Sequence, residues 1–227
     1  MPADNKTDLL NLIATHSFRL GDFTLASGQK SDYYIDCRTT TLHAEGGRLA
    51  GLVFYDLIRE HIPTAVAVGG LTMGADPLVS NTASASAWAL ADCGELETLT
   101  EELDLDRDDL GPTPNLIHGF LVRKAEKTHG TGRRIEGFLQ PGAHVVIVDD
   151  VCTTGGSTIT AIEATRDAGM IVAGALCLVD REQGGRLNIE RALAEVPPAD
   201  PKAPAPVFHA VFTATDVRKA HLALKNP

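Results

Sequence analysis

Positive charge is scarce in this chain: 20 Lys and Arg stand against 30 Asp and Glu, a formal net charge of −10. Nucleic acid and anionic membranes both reward clustered positive charge, so neither is expected as the main partner. Cysteine is scarce too. Cys37, Cys93, Cys152 and Cys177 show no Cys-x-x-Cys spacing, which leaves no visible zinc site and reads as reduced thiols of a cytoplasmic protein. There is no run of eighteen apolar residues to span a bilayer. The opening MPADNKTDLLNLIATHSF is polar and then amphipathic, without the charged head and apolar core of a secretory signal. Neither Gly-x-x-x-x-Gly-Lys nor Gly-x-Gly-x-x-Gly occurs at the glycine-rich loop, so a Walker loop and a dinucleotide fingerprint are excluded there. No internal repeat is visible. The 227 residues, 44% of them hydrophobic, suffice for one α/β domain with an ample core.

What is present centres on residues 144–158, HVVIVDDVCTTGGST. A run apolar at every position suits a parallel strand covered on both faces, and ligands of open parallel sheets bind beyond the carboxyl ends of their strands. Asp149 and Asp150 fall at such an end. Gly155 and Gly156 allow a tight turn, and the helix that follows offers unpaired N–H groups with partial positive charge. The spacing predicts a phosphate cradle fronted by two acids. Carboxylates would repel a phosphate, so they suit sugar hydroxyls or a Mg2+ ion instead. A phosphorylated sugar fits both halves.

The segment VVIVDDVCTTGGST resembles the signature of the type I phosphoribosyltransferases, which bind 5-phosphoribosyl 1-diphosphate (PRPP). The resemblance implies that Asp149 and Asp150 hold the ribose hydroxyls, while Val151, Cys152, Thr153, Thr154, Gly155, Gly156 and Ser157 surround the 5′-phosphate. It also implies Mg2+ carried on PRPP, with no protein ligand directly assigned.

Residues 21–38 read as two short alternating strands joined by a Ser-Gly turn, a hairpin outside the main sheet. Their pattern Phe-Thr-Leu-x-Ser-Gly-x-x-Ser-x-Tyr-Tyr-x-Asp is similar to the N-terminal hood of the orotate phosphoribosyltransferases. By that resemblance Tyr33 and Tyr34 lie against the flat pyrimidine, with Thr153 also at the base. Strand alternation alone predicts one tyrosine inward and one solvated. Many relatives place a lysine at the position of Ala26; here Lys30 is the candidate for the diphosphate side. The loop Leu71-Thr72-Met73-Gly74 has no lysine where some relatives have one, which leaves diphosphate binding there to main-chain groups.

Residues 123–134, RKAEKTHGTGRR, carry five cations and one acid in a chain that is otherwise acidic. This is the anion trap the cradle requires. Its glycines and lack of apolar periodicity predict a mobile loop able to close over a ligand and exclude water. The Arg-Lys-x-x-Lys-x-His-Gly spacing is similar to the loop that, in orotate phosphoribosyltransferases, reaches into the neighbouring subunit of a dimer. Arg123, Lys124, Lys127 and His129 are thereby expected to act in trans, with Lys127 and His129, beside Asp149 and Asp150, as the catalytic set. Further on, Val-Asp-Arg-x-x-Gly-Gly gives Arg181 the part of pairing with the carboxylate of orotate, through a planar fork matched to it.

The expected fold is α/β, an open and mainly parallel sheet flanked by helices with a small N-terminal hood. Residues 1–42 hold a helix capped by Thr7 and the hood hairpin. Residues 43–195 form the core, with helices over 43–61 and 77–91, an acidic insertion over 93–115 and the mobile loop over 123–140. Residues 196–227 add a Pro/Ala connector, an edge strand contributing to the hood and a C-terminal helix, within the same domain. The stretch 95–109 has eight acids and one base and reads as solvated rather than as a Ca2+ loop.

The activity implied is transfer of phosphoribosyl from PRPP to orotate, in pyrimidine nucleotide synthesis. A purine phosphoribosyltransferase of the same fold should lack the Tyr-Tyr hairpin and the Lys-x-His loop. A non-catalytic PRPP-sensing regulator should lose the loop cations or add a basic segment. An RNA-binding protein using the basic loop should interleave aromatics with its cations, which residues 123–134 do not, and it would leave the cradle unexplained.

Overall fold

The computed structural model describes residues 4–24, 30–102, 115–124, 134–197 and 204–225, with 95–102 described by backbone alone. A six-stranded sheet runs in the order β5-β4-β3-β6-β7-β8. Five strands are parallel: β3 (Ala67–Leu71), β4 (His118–Val122), β6 (His144–Cys152), β7 (Ile171–Asp180) and β8 (Val207–Thr213). β5 (Ile135–Gly137) pairs antiparallel with β4. The architecture is the expected one, an open and mainly parallel α/β sheet with helices on both faces.

The central strand shows why its sequence is apolar throughout. Val146 and Val148 belong to one buried cluster, Val145 and Ile147 to the other. On the first face lie α1 (Asn5–Leu12), α3 (Ala44–His61), α4 (Asp76–Glu102) and α7 (Ala214–Lys225), supplying Leu9, Phe54, Leu78 and Val217. On the second lie α5 (Gly156–Asp167) and α6 (Gly185–Ala194), supplying Ile162 and Ile189. Since each strand alternates sides, a parallel strand under two helix layers has no position for a polar residue until it leaves the core. In β6 that point is Asp149.

Several elements depart from the sequence-based expectation. The cap of α1 is Asp4, whose carboxylate accepts from the Lys6 N–H and the Thr7 hydroxyl. Thr7 lies inside the helix and is itself the donor. Residues Ile13–Ser17 form a π-helical turn, and the hood strand β1 (Phe18–Thr24) therefore starts earlier than the hairpin pattern indicates, pairing antiparallel with β2 (Lys30–Ile35). α4 continues past residue 91 to Glu102, so residues 93–102 of the acidic stretch are helix. Residues 135–137, placed in the mobile loop by composition, are strand, because Phe120, Leu121 and Val122 offer them an open sheet edge. The C-terminal strand joins the main sheet as β8 instead of the hood, burying Phe208 on one face and Phe212 on the other. The expected helix over 43–61 is α3, capped at His43, whose Nδ1 accepts from Gly46 N–H at 3.3 Å. Among the described residues no helix is long and apolar enough to cross a membrane, and all four cysteines are free thiols.

Candidate active site

Parallel pairing brings the carboxyl ends of β3, β4, β6 and β7 to one edge, and a cleft of about 590 Å3 opens there. Its floor is Asp149, Asp150 and Val151 at the end of β6, with Ser157 from the first turn of α5. One wall is Leu71, Thr72, Met73 and Gly74 after β3; another is Arg123 and Lys124 after β4. The hood closes the remaining side with Tyr34, Ile35 and Asp36, together with Arg38 at the start of α2 (Arg38–Thr41).

The two acids differ. Asp149 is 7% exposed, and both its oxygens are engaged: Oδ2 accepts from Thr158 Oγ1 at 2.9 Å and Oδ1 from Asp150 N–H at 3.0 Å. Burial first, then the adjacent Asp150 carboxylate, push the Asp149 carboxyl up to about 7. Asp150 is also raised by burial, but less enclosed, with Arg38 pulling the other way. Its Oδ1 accepts from Val151 N–H at 3.0 Å. Gly74 is needed for this packing, since a Cβ there would stand 2.4 Å from Asp150 Oδ1.

The cradle follows from Gly155, which has φ +84° and stands before α5 with no side chain capping the helix. The left-handed turn aims the first amides of a twelve-residue helix toward the cleft edge where Ser157 lies. A group carrying negative charge there would accept from helix-start N–H donors that no capping side chain among the described residues satisfies.

Arg181, 8% exposed, leaves β7 with its guanidinium carbon 4.8 Å above the Tyr33 ring. Its Nε donates to Tyr33 Oη and its Nη2 to Ser31 Oγ, both at 3.4 Å. These are long bonds that a better acceptor can displace. Tyr33 in turn stacks on Phe18 at 5.4 Å, and Phe18 meets the buried His221 of α7 at 5.1 Å. The column fixes the hood over the end of β7.

Of the residues singled out from sequence, Tyr34, Arg123, Lys124, Asp149, Asp150, Val151 and Ser157 line the cleft together. Tyr33 and Arg181 stand beside it, stacked on each other. Thr153, Thr154, Gly155 and Gly156 form the turn around the start of α5, and the Cys152 side chain is buried in the second cluster. Lys30 is not in the cleft: its Nζ donates to Thr24 Oγ1 at 2.9 Å across the hairpin. Lys127 and His129 lie outside the described residues. Sequence reasoning missed Arg38 and Asp36. Arg38 forks onto Asp36, Nε to Oδ1 at 2.8 Å and Nη2 to Oδ2 at 2.7 Å, which holds the Asp36 carboxyl below its usual range. The one available signal was an acid and a base two residues apart just beyond the hood strand.

An acid-fronted helix start facing cations at the strand ends defines the class: residues 123–194, which begin just after β4 and take in β6, α5, β7 and Arg181, match the phosphoribosyl transferase domain family. Over 186 residues the chain is 39% identical to the orotate phosphoribosyltransferase of Aquifex aeolicus (strain VF5), covering 81% of this chain and 87% of that protein. The crystal structure of the Mycobacterium tuberculosis H37Rv orotate phosphoribosyltransferase superposes with a TM-score of 0.68 at 31% identity, covering 94% of this chain and 98% of that one. The same enzyme in complex with 5-phospho-α-D-ribosyl 1-diphosphate gives a TM-score of 0.65 at 27% identity, over 94% and 99% of the two chains. This chain belongs to the orotate phosphoribosyltransferase family.

Proposed function

We propose that the cleft transfers the phosphoribosyl group of PRPP to N1 of orotate, forming orotidine 5′-phosphate and releasing diphosphate, a step of pyrimidine nucleotide synthesis. The observation that carries the proposal is the meeting, in one cleft, of the Asp149–Asp150 pair, the uncapped start of α5 and the cations Arg123 and Lys124. Cleavage of the C1–O bond develops positive charge on the ribose and negative charge on the leaving diphosphate, so catalysis here is chiefly electrostatic. The α5 amides with Thr153, Thr154 and Ser157 grip the 5′-phosphate. Asp149 and Asp150 accept from the ribose hydroxyls, with Asp150 the more open of the two. Tyr34 offers a ring face to the pyrimidine, with Thr153 nearby, and Arg181 exchanges its long bonds to Tyr33 and Ser31 for the orotate carboxylate.

Arg123 and Lys124, joined by Lys127 and His129 from the loop that follows, stabilise the departing diphosphate. In this reading the loop acts in the partner subunit of a homodimer, and the enzyme works in the cytoplasm. The donor set also suits Mg2+ brought in on PRPP. Mg2+ is commonly held by one or two carboxylates plus substrate phosphates and keeps several waters. Asp149 has both oxygens engaged, Asp150 is the carboxylate open to the cleft, and the described residues contain no group of three acidic, His or Cys ligands. Asp150 would hold such an ion together with the substrate's phosphates, where it would supply positive charge opposite the leaving diphosphate.

The test is loss of orotate absorbance in the presence of PRPP and Mg2+, with the product identified as orotidine 5′-phosphate. PRPP binding without turnover would replace the reading by that of a PRPP sensor, and turnover of a purine base in place of orotate would replace the acceptor.

A further inference from the structure

We propose that Arg38 is the hood's cation for the diphosphate of PRPP, in the position that the sequence assigned to Lys30. The proposal rests on the cleft being a PRPP site and goes further by naming a binding residue for one end of that ligand.

Three observations carry it. Lys30 donates across the hairpin to Thr24 Oγ1 and does not border the cleft. The wall formed by residues 71–74 has no cation of its own, while Asp36, Asp149 and Asp150 all face the same space. On the hood side of the cleft the described residues contain one positive group, Arg38, with its side chain 45% exposed. An anion seated against residues 71–74 would otherwise meet carboxylates on that side, with Arg123 and Lys124 on another wall.

The geometry also suits a ligand. Asp36 engages Nε and one hydrogen of Nη2, and accepts the Arg38 backbone N–H at 3.1 Å. That leaves both hydrogens of Nη1 and the second of Nη2 for an incoming group. The guanidinium plane is therefore fixed in advance, so less side-chain freedom is lost when a diphosphate is bound. Asp36 is a positioning residue in this arrangement and Arg38 the one that touches substrate.

The experiment measures binding of PRPP, diphosphate and ribose 5-phosphate to the full chain by calorimetry, with orotate kinetics alongside. Charge-assisted hydrogen bonds of this kind lead us to expect Arg38→Ala to weaken PRPP and diphosphate about 10- to 100-fold. Ribose 5-phosphate and the KM for orotate should change less than about threefold, within the usual scatter of a distant effect. Arg38→Lys should recover part of the loss, keeping the charge without the fork. Asp36→Asn should cost PRPP less than about threefold, since it removes a nearby anion as well as a brace. Melting temperatures of all three variants should stay close to wild type, because a surface ion pair contributes little.

PRPP affinity of Arg38→Ala within twofold of wild type would overturn the proposal, as would equal losses for ribose 5-phosphate and PRPP. Equal losses in Arg38→Ala and Asp36→Asn, with lowered melting temperatures in both, would make the pair structural only. Wild type that binds PRPP but does not consume orotate would remove the proposed activity and leave the Arg38 assignment standing on its own binding data.

Discussion

Asp149 and Asp150 are neighbours in sequence and both line the cleft, yet one is nearly sealed beneath Thr158 and the other is more open. The sealed carboxyl carries the clearer consequence for pH. Its ordinary value is 3.8 and the fold raises it to about 7, through burial and then through Asp150. A carboxyl raised by folding favours the folded state most when both states are protonated, below the unfolded value, and that contribution is lost as pH climbs through the folded value. The window is thus about pH 4 to 7. Asp149→Asn, which removes the charge that burial opposes, should gain melting temperature relative to wild type as pH rises across that window. A difference between the two melting curves that stays constant from pH 4 to pH 8 would contradict this account. At the same scale, the division between the tyrosines was legible: alternation along β2 turns Tyr33 inward against Phe18 and leaves Tyr34 toward the cleft. Arg38 was not legible, because its value lies in which wall lacks a cation, and that is a property of the assembled cleft.

Among the elements, the turn from β6 into α5 depends most on a single residue. Gly155 has φ +84°, and a Cβ there would stand 2.8 Å from Ile189 Cγ1 and 3.0 Å from the Gly185 carbonyl oxygen. Gly155→Ala combines left-handed backbone strain of about 1–2 kcal/mol with crowding against α6. We expect a total near 2 kcal/mol, read as a melting temperature lower by roughly 4–8 °C for a chain of this size, together with weaker binding of ribose 5-phosphate. Unchanged stability and phosphate affinity would show that the turn tolerates a side chain. This strand, turn and helix could be read from sequence because apolar run, acids and glycines coincide over fifteen residues, 144–158. The π-helical turn Ile13–Ser17 could not, since its apolar residues keep a helix-like rhythm. β5 could not either: three residues paired through their backbone to the edge of β4 leave almost no pattern. The far end of α4 was hidden by its acids, which a solvated helix face and a loop carry equally well.

Across the whole molecule, strand order could be inferred only as a class. Alternating strands and helices imply a parallel sheet, but the position of β8 depended on which edge could bury Phe208 and Phe212, and the sheet edge beside β7 does so. The proposed sharing of sites between subunits is testable at this scale. Lys127→Ala and Asp150→Asn proteins, each inactive alone, should regain part of the activity after mixing, because a hybrid dimer has one site with an intact loop and an intact acid pair. No recovery after demonstrated subunit exchange would place the loop over its own subunit's cleft.

The stack that begins at Arg181 and passes through Tyr33 and Phe18 ends on His221, within the last helix of the chain. Shortening α7, or joining a rigid partner directly to it, therefore acts on the part of the hood that holds Arg181 in place. Handles for purification or immobilisation belong at the other terminus or behind a long, pliant spacer.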